Sequence, residues 1–271
     1  MKGICCFCFY KHHTRDKMKV IKAFFIAFSM YSKIPVPQFE WKEEDMKYVL
    51  CFFPWVGAVI GGLIYLWSLF CQKHEVGALC YTMIGTAIPL LVTGGFHVDG
   101  FMDTMDAFRS YQPKEKKLEI LKDSHIGAFA AIMLATRGLV WLGAFSEVSQ
   151  GALLRIICAG FFLARCLSGF SVVSFPSAKK EGLLYLFASQ AEKRIVKGSL
   201  CLQGILCIGF MIFQSAIAGG IIAFTALCVL GYYYYRSRKE LGGVTGDTSG
   251  YFLVLCEGSM IVVAAVLCQL L

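Results

Sequence analysis

GSLCLQGILCIGFMIFQSAIAGGIIAFTALCVLGYYYY, residues 198–235, runs for 38 residues without one charged side chain. A bilayer-spanning helix needs ~20 apolar residues, so this stretch predicts two spans in succession. Runs of the same character lie on both sides of it. Residues 48–72 and 76–96 carry no charge; 126–146 is interrupted only by Arg137, 150–175 only by Arg155 and Arg165, and 248–271 only by Glu257. The reading is an all-α, polytopic membrane protein of seven transmembrane helices. Composition agrees: 57% of the 271 residues are hydrophobic and 16% are charged, against roughly 25% charged in an average soluble chain. A soluble domain of this length has nowhere to bury so much apolar surface. Residues 23–31 (AFFIAFSMY) are apolar but too short to cross, and Pro35 and Pro37 follow. They predict a short re-entrant or interfacial element, which packs against protein or a polar cavity.

Lys and Arg accumulate in cytoplasmic loops. With an inside N-terminus and seven alternating spans, the inside segments are 1–47, 97–125, 176–197 and 236–250. They hold 22 of the 26 Lys and Arg residues; the outside turns hold Lys73 alone, and three arginines lie within spans. This asymmetry predicts a multi-pass cell-membrane protein whose polar motifs face the cytoplasm. The formal charge of +8 is then a response to the lipid bilayer, and no nucleic-acid partner is implied. The 13 cysteines are mostly scattered through apolar runs, where free Cys behaves as a small hydrophobe. Cys5, Cys6 and Cys8 with His12 and His13 fit no structural zinc spacing. Met18 opens an alternative start, so residues 1–17 are expected to be a dispensable extension and 18–271 a single membrane domain. No cleavable signal peptide or internal repeat is evident. Segment 38–47 (QFEWKEEDMK) predicts a surface loop or short amphipathic helix, and 113–123 (PKEKKLEILKD) a short cytoplasmic helix.

The chemistry concentrates in GGFHVDGFMDTMDAFR, residues 94–109. Asp99, Asp103 and Asp106 stand four and three residues apart, which places them on one helix face. A solvated acidic face is the simpler reading. Against it, Phe101, Met102, Met105 and Phe108 lie between them, and carboxylates at a membrane boundary are functional by default. Three carboxylates together call for a cation, and oxygen-only ligands suit Mg2+ with substrate phosphates. A second segment, GGVTGDTSG (242–250), offers Gly242, Gly243 and Gly246, whose backbone N–H groups can turn toward an anion, and Asp247 as a further carboxylate. Glu257 lies inside the last span and needs a partner there, a metal or a cation such as Arg165. A third segment, KDSHIG (122–127), brings Lys122 and Asp123 to a helix start, which reads equally as a solvated cap or as a place that favours anions. Lys33, Arg109 and Lys122 are inside-facing cations that suit phosphates, although each taken alone reads first as a positive-inside marker. His97 precedes the triad as a hydrogen-bond partner or general base. The whole suits metal-assisted transfer at a phosphate, where positioning and charge neutralisation dominate. No GxSxG elbow, P-loop or HExxH is present.

These motifs closely resemble those of the cobalamin-5'-phosphate synthase family, the adenosylcobinamide-GDP ribazoletransferases. The family's Ser/Thr–Arg/Lys–Ile–Pro–x–Pro element stands here as SKIPVP (32–37), followed in order by GGFHVDGFMDTMDA (94–107), KDSHIG (122–127) and GGVTGDTSG (242–250). Arg165 and AKKEGL (178–183) also look like family elements. Lys33 stands where many members carry Arg, Val254 where a first glutamate often sits, and Ala130 where glycine is common. The resemblance implies joining of adenosylcobinamide-GDP to α-ribazole or its 5'-phosphate, with release of GMP and with Mg2+. It implies Asp99, Asp103, Asp106 and Asp247, with Glu257, as the metal set. Lys33, Arg109, Arg165 and the glycines would serve the GMP end, and His97, Asp123 and Lys122 the catalytic set. It leaves an oligomer open. Two other classes compete. A CDP-alcohol phosphotransferase needs DGxxAR followed by GxxxDxxxD, and the second half is missing after Asp99-Gly100. A transporter needs access from both sides, yet nearly all polar residues lie inside.

Overall fold

The computed structural model describes residues 20–37, 42–123 and 125–271. The Cys/His cluster, the expected extension and Ser124 lie outside them. The described chain is helical: α1 (Val20–Tyr31), a 3-10 helix (Glu43–Tyr48), α2 (Val49–Lys73), α3 (Ala78–Thr93), α4 (Phe96–Arg109), α5 (Lys114–Ile120), α6 (Ala128–Ser146), α7 (Gly151–Ser174), α8 (Leu183–Gln190), α9 (Lys193–Gln214), α10 (Ala216–Leu241) and α11 (Gly246–Leu270). The short apolar element at 23–31 is α1, and the short helix at 113–123 is α5. Residues 43–47 of the expected surface segment form most of the 3-10 helix.

Among the described residues six helices are long and apolar enough to cross a membrane, and the count reaches seven when α3 and α4 are taken as one broken span. The second expected span is therefore shorter than its uncharged run. α3 has 16 residues, or ~24 Å of helix. It ends at Gly94 and Gly95, whose φ values of +70° and +82° are left-handed and natural only for glycine. The chain turns by 91° there, and α4 leaves the direction of the span.

α7 is the central helix. Its apolar window is 72% buried, against 11% for that of α6, and α2, α9, α10 and α11 all pack on it. Apolar side chains gain little by leaving lipid for protein, so membrane helices associate through close backbone approach at small residues. α2 follows that rule. A Cβ on Gly57 or Gly61 would run into the α7 backbone at Phe161 and Cys158. At one end of the bundle α4 packs on α11 and α6.

Candidate functional site

The site is built on the crossing of α4 and α11. A Cβ on Gly100 would stand 2.8 Å from the Asp247 carbonyl oxygen, and one on Gly250 would stand 2.8 Å from that of His97. The two motif glycines thus let the helix backbones touch and bring Asp247 to the aspartates of α4. The start of α11 is fixed by its own sequence. Thr245 accepts the Thr248 N–H at 3.2 Å, and the Thr248 hydroxyl accepts the Thr245 N–H at 2.8 Å, a reciprocal cap. The GDT segment therefore holds Asp247 in the first turn. The carboxylates feel one another. Burial, then Asp99, Asp247 and Asp106, push the Asp103 carboxyl up to about 6. Lys179 is the near counter-charge: burial holds its ammonium below its ordinary value, and Asp247 opposes that shift.

Asp106 has a second task. Its two carboxylate oxygens accept the backbone N–H of Gly127 at 2.7 Å and of Ala130 at 2.8 Å, so it caps the start of α6. A Cβ on Gly127 would stand 2.6 Å from that carboxylate, which explains the glycine that closes KDSHIG. Asp103, Asp106 and Asp123 line one cavity of about 310 Å3. Asp123 accepts the His125 ring nitrogen at 2.6 Å, and this bond holds its carboxyl below the ordinary range. Lys122 pairs with Glu181 at 2.7 Å, tying this loop to the 178–183 loop. That loop is pinned in turn to the glycine-rich turn, because Ala178 donates its N–H to Val244 and Val244 donates to Pro176, both at 2.9 Å.

Several expected roles change in the structure. Gly242 and Gly243 do not present their N–H groups to an anion. They donate them to the Arg238 and Ser237 carbonyls and so cap α10; Gly243 also lies against the 176–178 backbone with no room for a side chain. Gly246 does face the site, lining a cavity with Asp99 and Asp247. Arg165 and Glu257 answer each other: the guanidinium donates to the carboxylate at 2.6 Å and to the Phe161 carbonyl at 2.9 Å, with side chains 1% and 9% exposed. A pair so enclosed gives Glu257 the partner its span requires, in a cation. Arg109 lines a different cavity, of about 700 Å3, shared with Arg137, Tyr232 and Arg236. Lys33 lies over Gly94 at the α3–α4 corner. His97 is buried, and its Nε2 has no hydrogen-bond partner. Burial and then Arg165 hold its pKa well below the ordinary value, so it stays neutral. Lys179 is a site residue that residue-by-residue reading missed; its only signal was AKKEGL.

Among the described residues no three His, Cys, Asp or Glu side chains converge closely enough to hold a metal ion by themselves. The donor set nevertheless fits Mg2+. It consists of hard carboxylate oxygens gathered at one helix crossing, and Mg2+ completes its shell with waters and substrate phosphates.

A helical bundle with crowded carboxylates and lysines at one end defines a polytopic membrane enzyme suited to phosphate chemistry. The chain belongs to the cobalamin-5-phosphate synthase family, which matches residues 23–265. It is 43% identical over 240 residues to the adenosylcobinamide-GDP ribazoletransferase of Lachnoclostridium phytofermentans, covering 89% of this chain and 92% of that protein. The enzyme of the same name from Clostridium perfringens is 32% identical over 89% of this chain and 96% of its own length. That from Brevibacillus brevis is 31% identical over 90% and 97%. No solved structure matches.

Proposed function

We propose that the chain joins adenosylcobinamide-GDP to α-ribazole or α-ribazole 5'-phosphate and releases GMP, with Mg2+ at the aspartate cluster on the cytoplasmic face. Transferase activity in cobalamin synthesis follows from family membership. The observation that carries the site assignment is the gathering of Asp99, Asp103, Asp106 and Asp247 at the α4–α11 crossing, where burial first and then the other three carboxylates lift Asp103 to about 6. One or two of Asp99, Asp103 and Asp247 would hold the ion, with waters and the substrate diphosphate completing its shell and Asp106 contributing whatever lone pairs its cap leaves. Mg2+ bound there would neutralise charge on the diphosphate. A ribazole hydroxyl oxygen bonds to the corrinoid-side phosphorus, the bridging P–O bond breaks, and GMP leaves. Lys179 beside Asp247, and Lys122 on the neighbouring loop, supply positive charge for the phosphates. Asp123 takes the hydroxyl proton in this reading, since it lines the cavity of Asp103 and Asp106. Catalysis here is mostly alignment and electrostatic stabilisation. Purified protein given both substrates should release GMP in step with product, and neither substrate alone should suffice. No release with both present would overturn the reading.

The pH dependence has a definite sign. Asp103 is raised from 3.8 to about 6, so the stability it contributes in metal-free protein is full at low pH and is lost as pH rises through about 6. Above that pH the ionised cluster is ready for a cation. Mg2+ should therefore raise the thermal unfolding temperature more at about pH 8 than at about pH 5. Equal increments at both would remove Asp103 from the metal set.

The cytoplasmic placement rests on the lysine and arginine asymmetry. In a cysteine-depleted background, Glu115→Cys should resist a membrane-impermeant maleimide in intact cells and react after permeabilisation. Labelling from outside would reverse the topology.

A further inference from the structure

Beside the acidic cluster lies a cavity of about 280 Å3 with an aromatic wall. Tyr31 is its hub, with ring centroids 4.3 Å from Phe53, 6.2 Å from Phe96 and 6.0 Å from Phe187. Asp99 and Asp247 line the same cavity, so it opens on the proposed reaction centre. His97 lines it too; that side chain is 7% exposed and its buried Nε2 has no partner. A buried polar atom without a hydrogen bond is costly and calls for an explanation. A ligand nitrogen in the cavity supplies one.

We propose that this cavity receives the benzimidazole base of the ribazole substrate, with the free ring nitrogen at His97 Nε2 and the ribose toward Asp99 and Asp247. The assignment rests on the transferase reading and specifies where one substrate sits. At about 280 Å3 the cavity falls just below the ~300–1,000 Å3 range of drug-sized ligand sites. It suits a flat bicycle and is too small for a corrin macrocycle with its fringe of amides. Guanine carries polar atoms around most of its edge and would strand them against aromatic rings, at a cost in free energy. A benzimidazole has one hydrocarbon edge, two faces for offset or edge-to-face contacts and one unsubstituted ring nitrogen. Ser168 of α7, 1% exposed, also lines the cavity. Its small side chain leaves room for the hydrocarbon edge, which makes it the residue that sets base size.

The test uses the purified full chain and α-ribazole, with binding read from the fluorescence of the base and KM measured for both substrates. Ser168→Leu fills the cavity. It should raise Kd and KM for α-ribazole at least about tenfold and leave KM for adenosylcobinamide-GDP within about twofold. Phe187→Ala enlarges the cavity and should shift preference from α-ribazole toward a riboside with a larger, naphthimidazole-type base; it carries the test alone if Ser168→Leu does not accumulate. A rise confined to the adenosylcobinamide-GDP KM, or unchanged α-ribazole binding in folded Ser168→Leu, would overturn the assignment. In either case GMP release by the wild type would leave the transferase reading intact. Tight α-ribazole binding that these variants weaken, without GMP release by the wild type, would instead support the cavity and defeat the reaction.

Discussion

Asp99→Asn and Asp103→Asn should each lower GMP release by about 10²–10³-fold while the protein accumulates in the membrane at wild-type levels. Each change keeps the side chain's size and removes one negative oxygen from the cluster. It also relieves repulsion, since burial and three other carboxylates raise Asp103, so folding should not suffer. Asp247→Asn should behave alike. Asp106→Asn should differ. Both Asp106 oxygens receive N–H groups from the first turn of α6, and an amide offers one oxygen and a clashing NH2. That variant should lose abundance as well as rate, which immunoblotting of membranes beside the turnover assay would separate. Near-normal rates in Asp99→Asn, Asp103→Asn and Asp247→Asn together would dissolve the proposed site.

The largest effect on stability should come from the Arg165–Glu257 pair. Arg165→Met removes the guanidinium that bonds Glu257 at 2.6 Å and leaves a carboxylate with a side chain only 9% exposed. Breaking one side of a buried pair costs about 3–5 kcal/mol, so this variant should scarcely accumulate. Glu257→Gln keeps an acceptor oxygen and should be milder. Replacing both by Met removes the stranded charge and should recover much of the lost protein, because apolar substitution of a whole buried pair is often neutral. Wild-type abundance of the Arg165→Met protein would show that Glu257 has another partner.

Much of this architecture was legible from uncharged runs, because bilayer thickness sets a length that sequence displays directly. The α3–α4 turn was not. Gly94 and Gly95 read as part of a motif, and only their left-handed backbone makes them a 91° corner. Glu257 inside a span announces a need for a partner, with Arg165 one candidate, but choosing it over a metal requires the packing of α7 on α11. Gly242 and Gly243 were read for their freedom to cradle an anion, whereas the end of α10 consumes their N–H groups first. Asp106 showed its place on the acidic face and gave no sign of its hold on α6, since the capped N–H groups lie 21 and 24 residues away. The aromatic cavity draws on α1, α2, α4 and α8, so no one segment's periodicity could reveal it.

The aspartate cluster should work through a divalent cation. Purified protein freed of metal by EDTA and given both substrates should release GMP only at background, and added Mg2+ should restore the rate in a saturable way. Asp99→Asn should need far more Mg2+ for the same response. Undiminished GMP release by thoroughly chelated protein would contradict the account.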